Sequence, residues 1–180
     1  MEARTCALRD GRTLTLREPV PDDATMLIDF HKHVGGETDC LLSDENGIPG
    51  LTEESERAYL AHTLEMANTV MYLAFVDGAL AGLADVRAQE RPRLAHNGSI
   101  GIVVRRDCWG LGVGGALMRA LIEFACANSA LKRLELTVRA DNERAVALYE
   151  RFGFREYGHA RRYVCVRGKY YDMIQMERLL

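Results

Sequence analysis

The 180-residue chain is poor in the residues that staple small proteins: its five cysteines, Cys6, Cys40, Cys108, Cys126 and Cys165, are scattered and never form CxxC. An odd, dispersed set excludes a disulfide framework and the usual zinc spacings, and free thiols point to a reducing, cytoplasmic setting. No apolar run approaches the ~20 residues that cross a bilayer. The stretch MEARTCALRDGRTLTLREP also lacks the continuous apolar centre of a secretory leader. A surplus of positive charge is missing as well. With 23 Lys and Arg against 26 Asp and Glu, the net charge of −3 gives bulk electrostatics no hold on nucleic acid. Internal repeats are absent. What remains, 48% hydrophobic and 27% charged residues, is the composition of a soluble globular protein, and the length fits a single domain over 1–180.

Hydrophobic periodicity divides the chain into strands and helices. Asp10-Gly11 turns into a strand over Thr13 to Arg17, where Leu14 and Leu16 alternate with polar neighbours. Pro19 and Pro21 end it, and Asp22 or Asp23 can cap a helix carrying Met26, Leu27 and Phe30. His33 to Pro49, with four residues of Gly and Pro among them, reads as a long loop facing a substrate. Thr52 starts a second helix with Tyr59, Leu60, Leu64 and Ala67 as its buried stripe. Val70 to Val76 and Ala79 to Arg87 form a hairpin across Asp77-Gly78, and Gly98 to Val104 is a third run. Gly112 to Ser129 is a helix with Leu117, Leu121 and Phe124 inward. Leu134, Leu136 and Val138 mark a strand. Asp141 or Asn142 caps a helix through Ala145, Leu148, Tyr149 and Phe152, which Gly153 stops. Strands over Arg162 to Val166 and Tyr170 to Met176 close the chain. This order predicts a mixed α/β (α+β) fold, a mostly antiparallel sheet of about seven strands with helices on both faces.

The densest signal is CWGLGVGG, Cys108 to Gly115, four glycines in six residues before a helix. Such a turn gathers backbone N–H groups that an anion can accept from. A P-loop is excluded because no lysine follows the glycines. Gly110, Gly112 and Gly115 do spell GxGxxG, and Asp141 follows the next strand as a ribose-binding acid would. Chain order decides against a dinucleotide fold: the preceding strands are hairpin-linked, and no second strand–helix–strand half follows.

Val103 to Gly114, VVRRDCWGLGVG, resembles the acetyl-CoA pyrophosphate loop of the GNAT superfamily of N-acetyltransferases, [RQ]xxGxG/A, with Trp109 where Arg or Gln is usual. Asp141 to Phe154, DNERAVALYERFGF, resembles the same superfamily's NxxAxxLYxxxGF helix. Glu90 to Arg93, Glu37-Thr38 and Gly168 to Asp172 resemble a bacterial branch that includes amino-acid N-acetyltransferases. The resemblance implies acetyl-CoA as cosubstrate, with no metal. Its site would comprise Ile102, Val103 and Val104 along the pantetheine arm and Trp109, Gly110, Leu111, Gly112, Val113, Gly114 and Gly115 around the pyrophosphate. Asn142 would contact the pantetheine and Tyr149 face the sulfur; Glu37 and Thr38 would contact the acceptor. It implies a small primary amine such as a free amino acid as acceptor, attacking the thioester directly, and a homodimer. A protein N-terminus or lysine, or a non-catalytic CoA or nucleotide sensor, are the other readings.

A phenol near 10 remains protonated beside an alkyl thiol near 8.5, so complete proton transfer from Tyr149 runs uphill by roughly 2 kcal/mol. A hydrogen bond to the developing thiolate is the expected role, against the plain alternative of a core tyrosine. Many relatives carry a carboxylate where Ser99 stands, so the base is open among water, His96, Asp85, Glu37 and Glu90. His31 and His33 point to different helix faces and lack a third ligand. Arg105 and Arg106 suit either CoA phosphates or solvent, and Arg161 and Arg162 a charged strand edge.

Overall fold

The computed structural model describes residues 3–180; Met1 and Glu2, at the head of the stretch read for a leader, lie outside it. The elements are β1 (Arg4–Ala7), β2 (Thr13–Arg17), α1 (Ala24–Glu37), α2 (Glu53–Glu65), β3 (Val70–Val76), β4 (Ala79–Ala88), β5 (Asn97–Val104), α3 (Val113–Ala127), β6 (Arg133–Arg139), α4 (Glu143–Arg151), β7 (Arg155–Val166) and β8 (Lys169–Leu179). One eight-stranded sheet has the order β1-β2-β3-β4-β5-β6-β8-β7. All neighbours pair antiparallel except β5 and β6. The class is the expected one, with eight strands instead of about seven. The added strand, β1, is exposed throughout and so has no alternation to read.

Strand alternation divides the buried residues between two cores. In β3, Val70, Tyr72, Ala74 and Val76 join Leu117, Met118 and Leu121 of α3. Met71 and Leu73 turn the other way, against Leu27, Phe30 and Val34 of α1 and Leu60 of α2. Leu117 is fully buried at the centre of the larger core. Leu117→Ala is expected to destabilise the protein by about 2–5 kcal/mol in denaturant unfolding.

Three sequence expectations need correction. The proposed loop from His33 is helical as far as Glu37. A Cβ on Gly35 would collide with the backbone of Asp44, so the glycine serves the close crossing of the loop over α1, and packing of the helix outweighs its ~1 kcal/mol helix penalty. In α2 the buried face is Glu56, Leu60 and Thr63, spaced i, i+4 and i+7, whereas Tyr59 and Leu64 are largely exposed and Ala67 lies past the helix. Finally, β7 begins at Arg155, not Arg162, and β8 extends to Leu179. The register of β7 jumps between Ala160 and Val164, where Arg162 takes φ +53°, and this bulge hides the alternation. At the helix starts, Asn142 is the residue that caps α4, accepting from the Ala145 N–H. Asp23 instead pairs with Arg17 at 2.7 Å and accepts from the Val20 N–H.

Candidate active site

The parallel pairing of β5 with β6 covers only Asn97 to Ser99 against Arg133 to Glu135. Beyond Ser99 the strands separate. In the β4–β5 ladder, Arg105 N–H donates to Ala81 O and Gln89 N–H to Asn97 O. Odd-numbered residues of β5 therefore bond toward β4, and Ile102 and Val104 turn their backbone polar groups into the gap. Val103 bonds toward β4. The gap widens into a cleft of about 750 Å³, lined among others by Ser99, Gly101, Ile102, Thr137 and Val138.

The glycine turn closes one end of this cleft. Gly110 and Gly112 lie at φ +78° and +108°, a region open to glycine, and Gly112 is the N-cap of α3 with no side chain capping it. Val113, Gly114 and Gly115 form the first helical turn and line the cleft; their N–H groups have no intrahelical acceptor. The β1–β2 connection braces the turn, since Arg9 N–H donates to Leu111 O at 3.3 Å and Arg9 Nη1 to Gly110 O at 3.4 Å. Leu111 itself packs on the core and does not line the cleft.

Trp109 Nε1 donates to Val104 O at 2.6 Å, which fixes the turn to the end of β5. The guanidinium of Arg144, from α4, stacks 3.3 Å from the centre of its ring. Burial lowers the pKa of Arg144 from its ordinary value. Arg9, Arg87, Arg144 and Arg151 all line the cleft and no Asp or Glu does. In a chain of net charge −3, three of these four cations, Arg9, Arg144 and Arg151, gather at the glycine turn, which suits a polyanion there.

Tyr149 lies on the opposite wall, 7% exposed, its ring edge-on to Phe154. Burial pushes its pKa up to about 12, so the phenol is protonated throughout the working pH range. Asn142 lines the cleft while its carbonyl oxygen caps α4, leaving the NH₂ for a ligand. Thr38 lines the cleft too. Glu37 does not: its carboxylate accepts from the Arg106 N–H at 2.7 Å and pairs with His33 at 3.2 Å. Arg105 is paired with Asp107.

The candidate bases divide in the same way. His96 and Glu90 are exposed and outside the cleft lining, whereas Asp85 is buried and paired with Arg87 at 2.8 Å. Burial lowers the pKa of His31, and His33 faces Glu37. No cluster of three His, Cys, Asp or Glu suited to a metal occurs among the described residues. The cleft arginines 9, 87 and 144 were not singled out from sequence. They come from three separate segments, and no local pattern marks them out.

Residues 39–154 match the acetyltransferase (GNAT) family. The chain belongs to that family. The matched stretch includes the glycine turn and Tyr149. The chain is 36% identical over 107 residues, 59% of its length, to the L-amino acid N-acetyltransferase AaaT of Escherichia coli (strain K12). That match spans 66% of AaaT's own length, and a second, 30% identical over 98 residues to the putative ribosomal N-acetyltransferase YdaF of Bacillus subtilis (strain 168), spans 52% of that relative. A crystal structure of a GNAT-family acetyltransferase from Streptococcus pneumoniae is 36% identical, with TM-score 0.89, covering 93% of this chain and 99% of that one. A phosphinothricin acetyltransferase from Sinorhizobium meliloti, solved with AcCoA, shares the fold at TM-score 0.76 and 19% identity, covering 93% and 88% of the two chains.

Proposed function

We propose that this GNAT domain is an acetyl-CoA-dependent N-acetyltransferase whose acceptor is a small primary amine, a free amino acid above all. The observation that carries the reading is the parting of β5 and β6 after Ser99, with a glycine turn at one end of the gap and Tyr149 on its wall. In this reading the N–H groups of Val113, Gly114 and Gly115 hold the pyrophosphate, with Gly110 and Gly112 shaping the turn. Ile102, through its N–H and C=O, and Val104, through its N–H, serve the amides of the pantetheine arm as an added strand would, and the NH₂ of Asn142 adds a donor. The amine attacks the thioester carbonyl directly, and Tyr149 O–H donates to the sulfur as the C–S bond breaks. No cysteine intermediate is needed. The amino-acid acceptor is supported by the similarity to AaaT.

Trp109 stands where the superfamily's loop has Arg or Gln, and Arg144 stacked on it supplies a cation at that place. Arg144→Gln is expected to weaken acetyl-CoA binding about tenfold by calorimetry, with the loss shrinking at high salt. Five free cysteines support a reducing, cytoplasmic setting. Exposed Tyr157, Tyr163 and Tyr170 on the β7–β8 edge support a homodimer, to be read by light scattering. The deciding experiment is thiol release from acetyl-CoA with amino acids, polyamines and short peptides. Turnover confined to amino acids is the expected result; tight CoA binding without turnover on any amine would leave only a sensor.

A further inference from the structure

The far side of the cleft holds a charge pair that the cofactor site does not use. Asp85 and Arg87 stand two residues apart on β4, so both side chains leave the same face of the sheet. That face is the one covered by α1 and α2, because Leu83, on the same alternation, packs in their core while Ala84 and Val86 join the α3 core. Burial, with a smaller push from the Asp85 charge, raises the pKa of Tyr59 on α2. Across the ladder, Asp85 faces Gly101 and Arg87 faces Ser99.

Gly101 is what lets the pair reach the cleft. A Cβ there would collide with Asp85 Oδ1 and stand 3.5 Å from Arg87 Nη2. Any side chain at 101 would occupy the space into which both groups fold. The two ends of the pair differ in access, with Asp85 7% and Arg87 54% exposed at the side chain. A carboxylate so buried is costly unless it is paired, and Arg87 is the partner that Asp85 has. Burial raises the Asp85 pKa above its ordinary value, and the Arg87 charge only partly offsets the rise. Arg87 Nε lies 2.8 Å from Asp85 Oδ2, and Arg87 lines the cleft together with Ser99 and Gly101.

Position along β5 separates this cation from the phosphate end. Gly101 precedes Val104 by three residues, about 10 Å of strand, and the glycine turn lies beyond Val104. The thioester is the end of the pantetheine arm remote from the phosphates, so the acceptor that attacks it belongs at the Ser99 end of the cleft. Resting on the acetyl-transfer reading above, we propose that Arg87, oriented by Asp85 across Gly101, binds the carboxylate of the acceptor and so selects α-amino acids over amines lacking an acid group. Arg87 is the specificity-determining residue and Asp85 its positioning residue. The planar fork matches a carboxylate in two hydrogen bonds.

The test compares each proteinogenic L-amino acid that is turned over with its α-carboxamide, at equal concentrations of neutral amine, in wild type, Arg87→Gln and Asp85→Asn. Wild type is expected to show a KM at least tenfold lower for the acid than for the amide. Arg87→Gln should remove that difference by raising the KM of the acid alone, with kcat and acetyl-CoA Kd unchanged. Asp85→Asn should move the acid KM in the same direction and by less. Equal KM for acid and amide in wild type would overturn the proposal, as would an equal fall in kcat for both in Arg87→Gln, which would mean that Arg87 acts on the thioester carbonyl. Turnover of peptides or polyamines with none on free amino acids would overturn it too. Acetyl-CoA Kd, measured without acceptor, reports separately on the cofactor reading: no binding there sinks the acetyl-transfer assignment itself.

Discussion

Tyr149→Phe is expected to lower kcat about 10- to 100-fold while acetyl-CoA Kd stays within about twofold, the range that follows from losing one hydrogen bond to a charged group. The ring is buried against Phe154 and needs no hydroxyl to pack, so the variant should fold. The hydroxyl makes no hydrogen bond to another described residue and lies on the cleft wall. With the phenol pushed up to about 12, handing its proton to a thiolate near 8.5 costs roughly 5 kcal/mol, more than twice what an unperturbed tyrosine would require. In the proposed mechanism Tyr149 therefore donates a hydrogen bond to the leaving sulfur and keeps its proton. Stopped-flow thiol release should show no break from tyrosine ionisation below about pH 11. A kcat unchanged in Tyr149→Phe would return the residue to a packing role.

Gly112→Asp is expected to weaken acetyl-CoA binding about 100-fold or more. Two effects act together. At φ +108° any side chain is strained, at a cost on the order of 1–3 kcal/mol. Aspartate is also a favoured N-cap, whose carboxylate accepts from the N–H groups of the second and third helical residues, here Gly114 and Gly115. The same interaction that offsets part of the strain fills the anion position with a negative charge. Gly112→Ala adds strain without the occupant, so the affinities should run wild type, then alanine, then aspartate, with both variants folded by circular dichroism. Aspartate binding as well as alanine would remove the anion role from the turn.

How far the sequence could be read depended on whether a residue's environment is local. The Asp77-Gly78 hairpin and the α3 stripe are each settled within a few residues and were legible, and the cap of α4 was narrowed to Asp141 or Asn142. Gly35 was not, because its reason is Asp44 crossing the helix, and β7 was not, because a bulge at Arg162 breaks its period. The cleft shows the same division. The glycine turn is one contiguous stretch, whereas Asp85 and Gly101 meet only when two strands pair, and Arg144 reaches Trp109 only when α4 docks. Glu37, next to Thr38 in sequence, is turned away by a bond to the Arg106 N–H.

The three-residue seam between β5 and β6 also bears on how the protein survives without its ligand. Sheet edges are normally confined to the outside of a domain, where bulges and charges blunt them, as Arg161 and Arg162 do on β7. Here two further edges lie in the middle of the sheet, and Ile102, one of the residues on them, is aliphatic and lacks such a guard. A molecule that fills the gap therefore acts as a protective cover against strand-mediated self-association, and the empty protein should be the first to cloud on gentle heating.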